Sequence, residues 1–296
     1  MPVPGAPRPA RVATAAFLAA LTIAVSAAAA KDPDPIDLPG LLARIGERVE
    51  AYYARAQSIL CIETVRLQPM DYNFTSADHV RRLVYELRVS WDPATDGSVP
   101  EANVTRQLIS VDGRPPKPKD EPGCLDPKPV ALDPLSFLLP HHQSEYKFTY
   151  KGTGRSGDRA AVLIDYAPAG SPPPEIKWND TCVSINLPTR TTGRLWIDVA
   201  SGNVLRIDEK VTGPYDIEVP KSQQRKGANA WLTLDRADST IRYKTVVFTD
   251  PEEVVMLPES MEMMSVIRGS GTPRLRIRQD YTSYQRFVTG GRIVQE

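Results

Sequence analysis

The amino-acid sequence predicts an α+β fold that is mostly β, with one N-terminal amphipathic helix and a single large, strongly curved antiparallel sheet of about ten strands. Three observations lead to this prediction. Long helical periodicity occurs once, near the N-terminus. From Leu60 onward, runs of alternating apolar and polar residues follow one another at hairpin spacing. No fixed-period repeat or obvious domain linker interrupts these runs, so residues 31–296 are expected to form one domain.

The helix is predicted within residues 41–58. Its apolar stripe includes Leu42, Ile45, Val49 and Tyr52, which recur at helical spacing. An upstream Asp-Leu-Pro at residues 37–39 is a typical helix start. A lone amphipathic helix needs an apolar surface to cover its stripe, and the sheet is the available partner.

A hairpin at residues 193–211 is the clearest strand pair in the chain. In its first arm Leu195 and Ile197 alternate with Arg194 and Trp196, and a Ser-Gly-Asn turn leads into a second alternating arm. Each arm therefore has one apolar face that must be covered.

The first thirty residues have the composition of a signal peptide. Arg8 and Arg11 precede an apolar run at 15–25, and Ala28-Ala29-Ala30 offers a small-residue cleavage site before Lys31. The apolar run is shorter than the roughly 20 residues that span a bilayer, so cleavage is favoured over an uncleaved anchor. The mature chain, 31–296, is expected to be periplasmic or secreted, with no transmembrane span.

Charge and motifs exclude several functions. The chain has 36 Lys plus Arg against 36 Asp plus Glu, so no global field attracts nucleic acid. No phosphate loop, dinucleotide fingerprint or zinc spacing is present, so neither a cofactor nor a metal is expected. The pair His141 and His142 leaves one enzymatic alternative, a hydrolase that uses these residues and nearby carboxylates.

Three cysteines allow at most one internal disulfide. Cys124 lies in a proline-rich loop and Cys182 in a predicted strand, and this pair is favoured. Cys61 begins a predicted strand directly after the helix, where a buried, inert thiol is common.

A methionine cluster near the C-terminus suggests a binding surface. Met256, Met261, Met263 and Met264 fall within nine residues, and Ile267 follows on the same strand. Flexible thioether side chains suit a cavity for variable apolar ligands. Ordinary core packing and ligation of a soft metal are the alternatives.

Several stretches together resemble the periplasmic lipoprotein-carrier superfamily (LolA/LolB/RseB-like), and in particular exported bacterial proteins of that architecture. The matching stretches are Leu41–Ser58, Val111–Pro115, Leu135–Pro140, Thr192–Asp198, Gly202–Arg206, Leu257–Met261 and Tyr281–Phe287. The resemblance implies an unclosed half-barrel with the helix on its concave face and an apolar cavity between them. No individual ligand-binding residue of the characterised carriers maps onto this chain.

The resulting hypothesis is an exported binding protein that holds a lipid or a lipoprotein acyl chain and performs no covalent chemistry. The predicted cavity-lining residues are Tyr52, Leu195, Ile197, Met256, Met261, Met263 and Ile267. A module that binds another envelope protein, in the manner of a stress sensor, is the second hypothesis.

Overall fold

The computed structural model describes residues 36–286 except for positions 57, 78, 93–100, 121–122, 124–133, 180–181, 225–228, 250–251 and 270–273. The expected signal peptide, residues 1–30, lies outside the described residues. Its assignment therefore stays a prediction, as does the assignment of residues 31–296 to one domain.

Helix α1 spans Leu38–Arg55. Its N-cap is Asp37, whose side chain accepts a hydrogen bond from the backbone N–H of Gly40 at 3.1 Å, and Pro39 occupies the first turn. The predicted stripe is buried, since Ile45 and Val49 are at most 2% exposed. The helix prediction is confirmed. In the part of the chain that the structure describes, no helix has the length and apolar character needed to cross a membrane.

The strands account for most of the remaining described chain. Their bounds are β1 Ile59–Met70, β2 Arg81–Asp92, β3 Glu101–Val111, β4 Tyr146–Ser156, β5 Arg159–Pro168, β6 Glu175–Asn179, β7 Cys182–Asn186, β8 Thr191–Asp198, β9 Val204–Val211, β10 Tyr215–Glu218, β11 Trp231–Thr249, β12 Glu252–Arg268 and β13 Arg274–Arg286.

One antiparallel sheet contains 11 of these strands. Its order is β3-β2-β1-β13-β12-β11-β9-β8-β5-β4, and β10 also pairs with β11. The first strand therefore lies beside the last one, while β3 and β4 form two open edges among the described residues. Strands β6 and β7 form a separate two-stranded sheet. The predicted fold class, a mostly β, unclosed antiparallel half-barrel with one helix, is confirmed.

The C-terminal strands are longer than their sequence suggests. The alternating runs at 253–257 and 260–268 predict two short strands, but the structure has a single strand β12 of 17 residues. The β11–β12 ladder shifts register between these two runs, because Arg242 pairs with Ser260 and Tyr243 with Pro258, which leaves Glu259 as an extra residue on β12 beside the proline. Because a bulge lets a strand continue past a residue that cannot donate a hydrogen bond, a proline there does not end the strand.

The hairpin of β8 and β9 forms as expected, with Leu195 and Ile197 fully buried. Its turn is held by Asp198, whose Oδ1 accepts hydrogen bonds from the backbone N–H groups of Ala200 and Ser201 at 3.1 and 2.7 Å. Such side-chain acceptors stabilise a turn locally.

The apolar residues of the stretch 132–139, which contains an Asp-Pro start signal, predict a short helix. The structure has a single 3-10 turn there, Ser136–Leu138, and residues 132–133 lie outside the described part. This segment nevertheless packs against α1. The amide of Gln143 donates to the carbonyl oxygens of Leu42 and Leu138, at 2.9 and 2.8 Å. A side chain at Gly46 would meet Pro140 and Gln143, so the glycine permits this close approach.

Apolar residues of the inner face, meaning the face whose side chains pack against α1, form separate clusters. The main cluster contains the buried side of α1 together with Leu87, Leu195, Ile207 and Tyr281. The second cluster consists of Val65, Leu67, Leu83, Tyr85, Val111, Leu275 and Ile277. A third, smaller cluster contains Ile217, Val219 and Leu232, against which side chains of β6 and β7 pack.

Candidate functional site

A pocket lies between the C-terminal end of α1 and the inner face of the sheet. The space in it, counted together with the open solvent at its mouth, is about 340 Å³. It is lined by Tyr52, Ala56, Ile59, Cys61, Leu87, Val89, Trp91, Leu257, Pro258, Tyr281 and Tyr284. The walls are therefore almost entirely apolar or aromatic.

Strand alternation explains the composition of the walls. Every second residue of a strand points to the same face, so Ile59 and Cys61 of β1 lie beside Leu87 and Val89 of β2. Trp91, at the end of β2, packs edge to face on Tyr53 of α1, with ring centroids 5.0 Å apart. This contact joins the helix to the sheet at the edge of the pocket.

The polar atoms of the pocket are satisfied by the surrounding chain. The hydroxyl of Tyr284 donates to the carbonyl oxygen of Pro258 at 2.5 Å. The ammonium of Lys244 donates to the carbonyl oxygen of Tyr281 at 2.9 Å and lies 5.6 Å from the ring centroid of Tyr284. Burial raises the pKa of the Tyr284 hydroxyl well above its ordinary value.

Cys61 places a free thiol on the pocket wall. The side chain is buried, and this burial, with a smaller contribution from Glu63, raises its pKa to about 12. Because the thiolate is the reactive form, this cysteine is a poor nucleophile at neutral pH. The expectation of a buried thiol at this position is confirmed.

Aromatic side chains fill most of the space between helix and sheet. The volume of the pocket in which the centre of a water molecule fits is only about 20 Å³, which is room for about one water molecule. Occupation by a larger apolar molecule therefore requires α1 or an aromatic side chain of the wall to move outward.

A buried charged network adjoins the pocket on the inner face. Glu63 is fully buried on β1, and its carboxylate pairs with the guanidinium of Arg106 at 2.7 Å. The other carboxylate oxygen accepts hydrogen bonds from the amide of Gln279 at 2.7 Å and from the hydroxyl of Tyr281 at 3.3 Å. The Arg106 guanidinium also lies over the ring of Tyr85, 3.7 Å from its centroid. This row of polar groups separates the main cluster from the second cluster.

A second carboxylate of the inner face, Glu209 on β9, has different partners. It accepts a hydrogen bond from the hydroxyl of Tyr166 at 2.6 Å. Among the described residues no cation forms an ion pair with it, and desolvation raises its pKa. Gly193 lies opposite both residues, and a side chain there would collide with the Tyr166 ring. The glycine thus lets the Tyr166 ring cross β8 to reach Glu209.

The structure distributes the predicted cavity-lining residues over the inner face. Tyr52 lines the pocket, while Leu195 and Ile197 are fully buried in the main cluster. Met256 and Met261 are partly buried and pack against that same cluster.

The other two predicted residues pack elsewhere. Met263 packs against the second cluster and Ile267 against the third. The seven residues are therefore not brought together at one place, and their role as a ligand-binding lining stays a prediction.

Sequence reasoning missed most of the pocket. Cys61 was recognised as a buried residue, but Leu87, Trp91, Tyr281 and Tyr284 were not singled out. The inward positions of Leu87 and Trp91 were readable from alternation in β2. Tyr281 and Tyr284 are three residues apart, and both face the pocket because the β1–β13 ladder is irregular between them, where Ser283 has a φ of 54°.

The structure also shows the surroundings of the two adjacent histidines. The rings of His141 and His142 lie 4.3 Å apart, and Nδ1 of His142 is 2.7 Å from a carboxylate oxygen of Glu145. Within the described ranges, no group of three His, Cys, Asp or Glu side chains could hold a metal ion.

Cys182 is disulfide-bonded. Its predicted partner, Cys124, lies outside the described residues, so the pairing stays a prediction.

Comparison with known proteins gives matches only among solved structures. No family model matches the chain, and no curated protein matches it. A DUF1329 family protein from Desulfovibrio piger is 7% identical with a TM-score of 0.41, and the alignment covers 84% of this chain and 93% of that chain. A LolA superfamily protein from Nitrosomonas europaea is 10% identical with a TM-score of 0.34, covering 86% and 97%.

A third match is the MucA/MucB complex of Pseudomonas aeruginosa, at 10% identity and a TM-score of 0.24, covering 83% of this chain and 99% of that chain. At such identities and TM-scores the likeness carries no conclusion about ligand or partner.

Proposed function

We propose that this chain is an exported binding protein that holds an apolar ligand, such as a lipid or a lipoprotein acyl chain, between α1 and the sheet, without covalent chemistry. The observation that supports the proposal is the pocket itself, whose lining is apolar and aromatic and whose mouth is open. The signal-like N-terminus supports a periplasmic or secreted location for the mature chain.

The attachment of α1 supports a ligand-dependent movement of its C-terminal end. Near its N-terminal end the helix is joined to the segment 136–143 through Gln143, by hydrogen bonds to main-chain oxygens. At its C-terminal end the helix is held by side-chain packing, including Tyr53 on Trp91, and by an ion pair between Arg55 and Glu253 at 3.9 Å. Exposed pairs contribute little stability. We therefore expect a ligand to enter between the C-terminal end of α1 and the sheet.

Two measurements test the proposal. Mass spectrometry of an organic extract of the purified mature chain is expected to find a co-purified lipid, and the delipidated protein is expected to bind a fluorescent fatty acid. Ala56→Trp fills the pocket from the helix side and is expected to abolish this binding. Val199→Trp changes a position that is 60% exposed in the hairpin turn and serves as the size-matched control.

Cys61 offers a second measurement that does not depend on a variant. Bound fatty acid is expected to slow alkylation of this thiol, because the thiol faces the pocket. A chain without lipid, with no fatty-acid binding and no protection of Cys61, would refute the proposal. Met261→Trp tests whether the site extends along β12, as predicted from the methionine cluster.

A further inference from the structure

The edge strand β4 leaves one side of its backbone open. It runs for 11 residues and pairs with β5, and no other strand of the described chain pairs with it. Edge strands present a row of N–H and C=O groups to which another extended chain can add. Either a partner or a protective feature is therefore needed along β4.

The exposed side chains of β4 are cationic or neutral. Lys147, Lys151 and Arg155 alternate with two threonines, and the strand contains no carboxylate. The neighbouring carboxylate of Asp165 on β5 is already paired with Arg194, through two hydrogen bonds of 2.5 and 3.0 Å. Asp165 also interacts electrostatically with Lys151, but the exposed side chains of β4 itself have a net positive charge.

The opposite edge of the sheet differs in charge. On β3 the exposed side chains are Asn103, Thr105, Gln107 and Ile109, which are all neutral. The cation of β3, Arg106, faces inward and pairs with Glu63. The positive charge thus belongs to one edge and is not a general feature of edge strands in this sheet.

The first half of β4 is held in a regular, extended conformation. Tyr146, Phe148 and Tyr150 are partly buried and pack against the main cluster. The rings of Tyr146 and Phe148 lie 6.2 and 6.5 Å from the ring of Tyr166 on β5. The irregularity of the β4–β5 ladder comes only after Tyr150, where Gly152 has a φ of 97°. The backbone of residues 146–150 is therefore preorganised to pair.

We propose that β4 is a docking edge for an extended, acidic segment of a partner protein, which adds to the sheet as a further strand. Backbone hydrogen bonds would supply the affinity, while Lys147 and Lys151, which lie on the same face of β4 before its irregularity, would select acidic side chains at alternate positions. Pairing of β4 with β4 of a second copy is disfavoured, because it would bring the cations of the two strands together.

The test uses the mature chain and two synthetic peptides of about eight residues, because that length matches a typical added strand. One peptide alternates Glu with Val and the other alternates Lys with Val. We expect the acidic peptide to bind about tenfold or more tightly than the basic one, with affinity that falls as salt is added. Hydrogen exchange is expected to show new protection at residues 147–151.

Charge reversal provides the decisive variants. Lys147→Glu/Lys151→Glu/Arg155→Glu is expected to reverse the preference between the two peptides, and Lys151→Glu alone to weaken binding of the acidic peptide. Arg276→Glu is the matched control, since Arg276 is an exposed cation on β13, a strand that is paired on both sides.

Each unfavourable outcome is informative. Equal affinity for both peptides, no binding of the acidic peptide, or binding without protection of β4 would overturn the proposal. So would an equal loss of binding in Arg276→Glu. The inference is independent of the pocket, and fatty-acid binding is expected to be unchanged in all of these variants, so the two proposals fail or succeed separately.

Discussion

The inner face of the sheet carries two carboxylates whose surroundings contrast. Glu63 is fully buried and has a guanidinium, an amide and a hydroxyl as partners, from Arg106, Gln279 and Tyr281. Glu209 has the hydroxyl of Tyr166 and no ion-pair partner among the described residues. An opposite charge favours ionisation, whereas desolvation without one raises the pKa, and the pKa of Glu209 is raised.

The contrast shows how one sheet accommodates polar groups between apolar clusters. Glu63 lies between Cys61 of the main cluster and Val65 of the second cluster, on the same face of the same strand. Complete pairing allows a full charge to remain there, since a buried charge is tolerated only when it is compensated. Glu209 occupies a partly buried position at the other side of the main cluster, where one hydrogen bond is sufficient.

The largest effect is expected for Arg106→Met, which leaves Glu63 buried without its cation. Removing one partner of a buried pair costs about 3–5 kcal/mol of unfolding free energy. Urea denaturation of the mature chain measures the loss. The double variant Glu63→Met/Arg106→Met is expected to recover most of it, because both charges are then absent. A double variant that is as unstable as the single one would contradict this account.

Gln279→Leu is expected to have the next largest effect. It removes the amide that donates to Glu63, and hydrogen bonds to charged groups contribute about 1.5–3 kcal/mol. The same denaturation experiment applies. Gln285→Leu, at an exposed position on the same strand, is the control and should change stability little. Similar losses in the two variants would show that the buried network is not responsible.

Gly193→Ala tests the surroundings of Glu209. The new Cβ would collide with the Tyr166 ring that crosses β8, and forced repacking costs about 1–3 kcal/mol. Tyr166→Leu removes the ring. Gly193→Ala is therefore expected to cost less unfolding free energy in the Tyr166→Leu background than in the wild type. Unchanged stability of Gly193→Ala would show that the ring can move aside at no cost.

Glu209→Gln is expected to have the smallest effect, on the order of 1 kcal/mol at neutral pH. The folded-state pKa is raised above the ordinary value of 4.5. The folded protein therefore binds more protons than the unfolded chain between pH 4.5 and that raised pKa, and stability falls as pH rises through this window. Glu209→Gln should remove this part of the pH dependence. Stability curves of wild type and variant that stay parallel from pH 4 to 8 would disprove the assignment.

Much of the fold was predictable because its signals are local. Helix α1 and the hairpin of β8 and β9 follow from apolar spacing and turn residues within a few positions of one another. Local patterns failed where a strand continues through a bulge, as beside Pro258, because the shift in register is defined only by the pairing of β12 with β11. The methionine cluster was noticed as composition, but composition does not specify which side chains meet.

By itself, the sequence determined that one helix covers one face of a mostly antiparallel sheet, since periodicity assigns each residue to a face. Only the tertiary structure decided what each face contains. Glu63 meets Gln279 across 216 residues and Arg106 across 43, and the pocket joins α1 to strands from both ends of the domain. The physical reason is that side-chain alternation is a property of one strand, whereas strand order and register arise from the packing of the whole sheet.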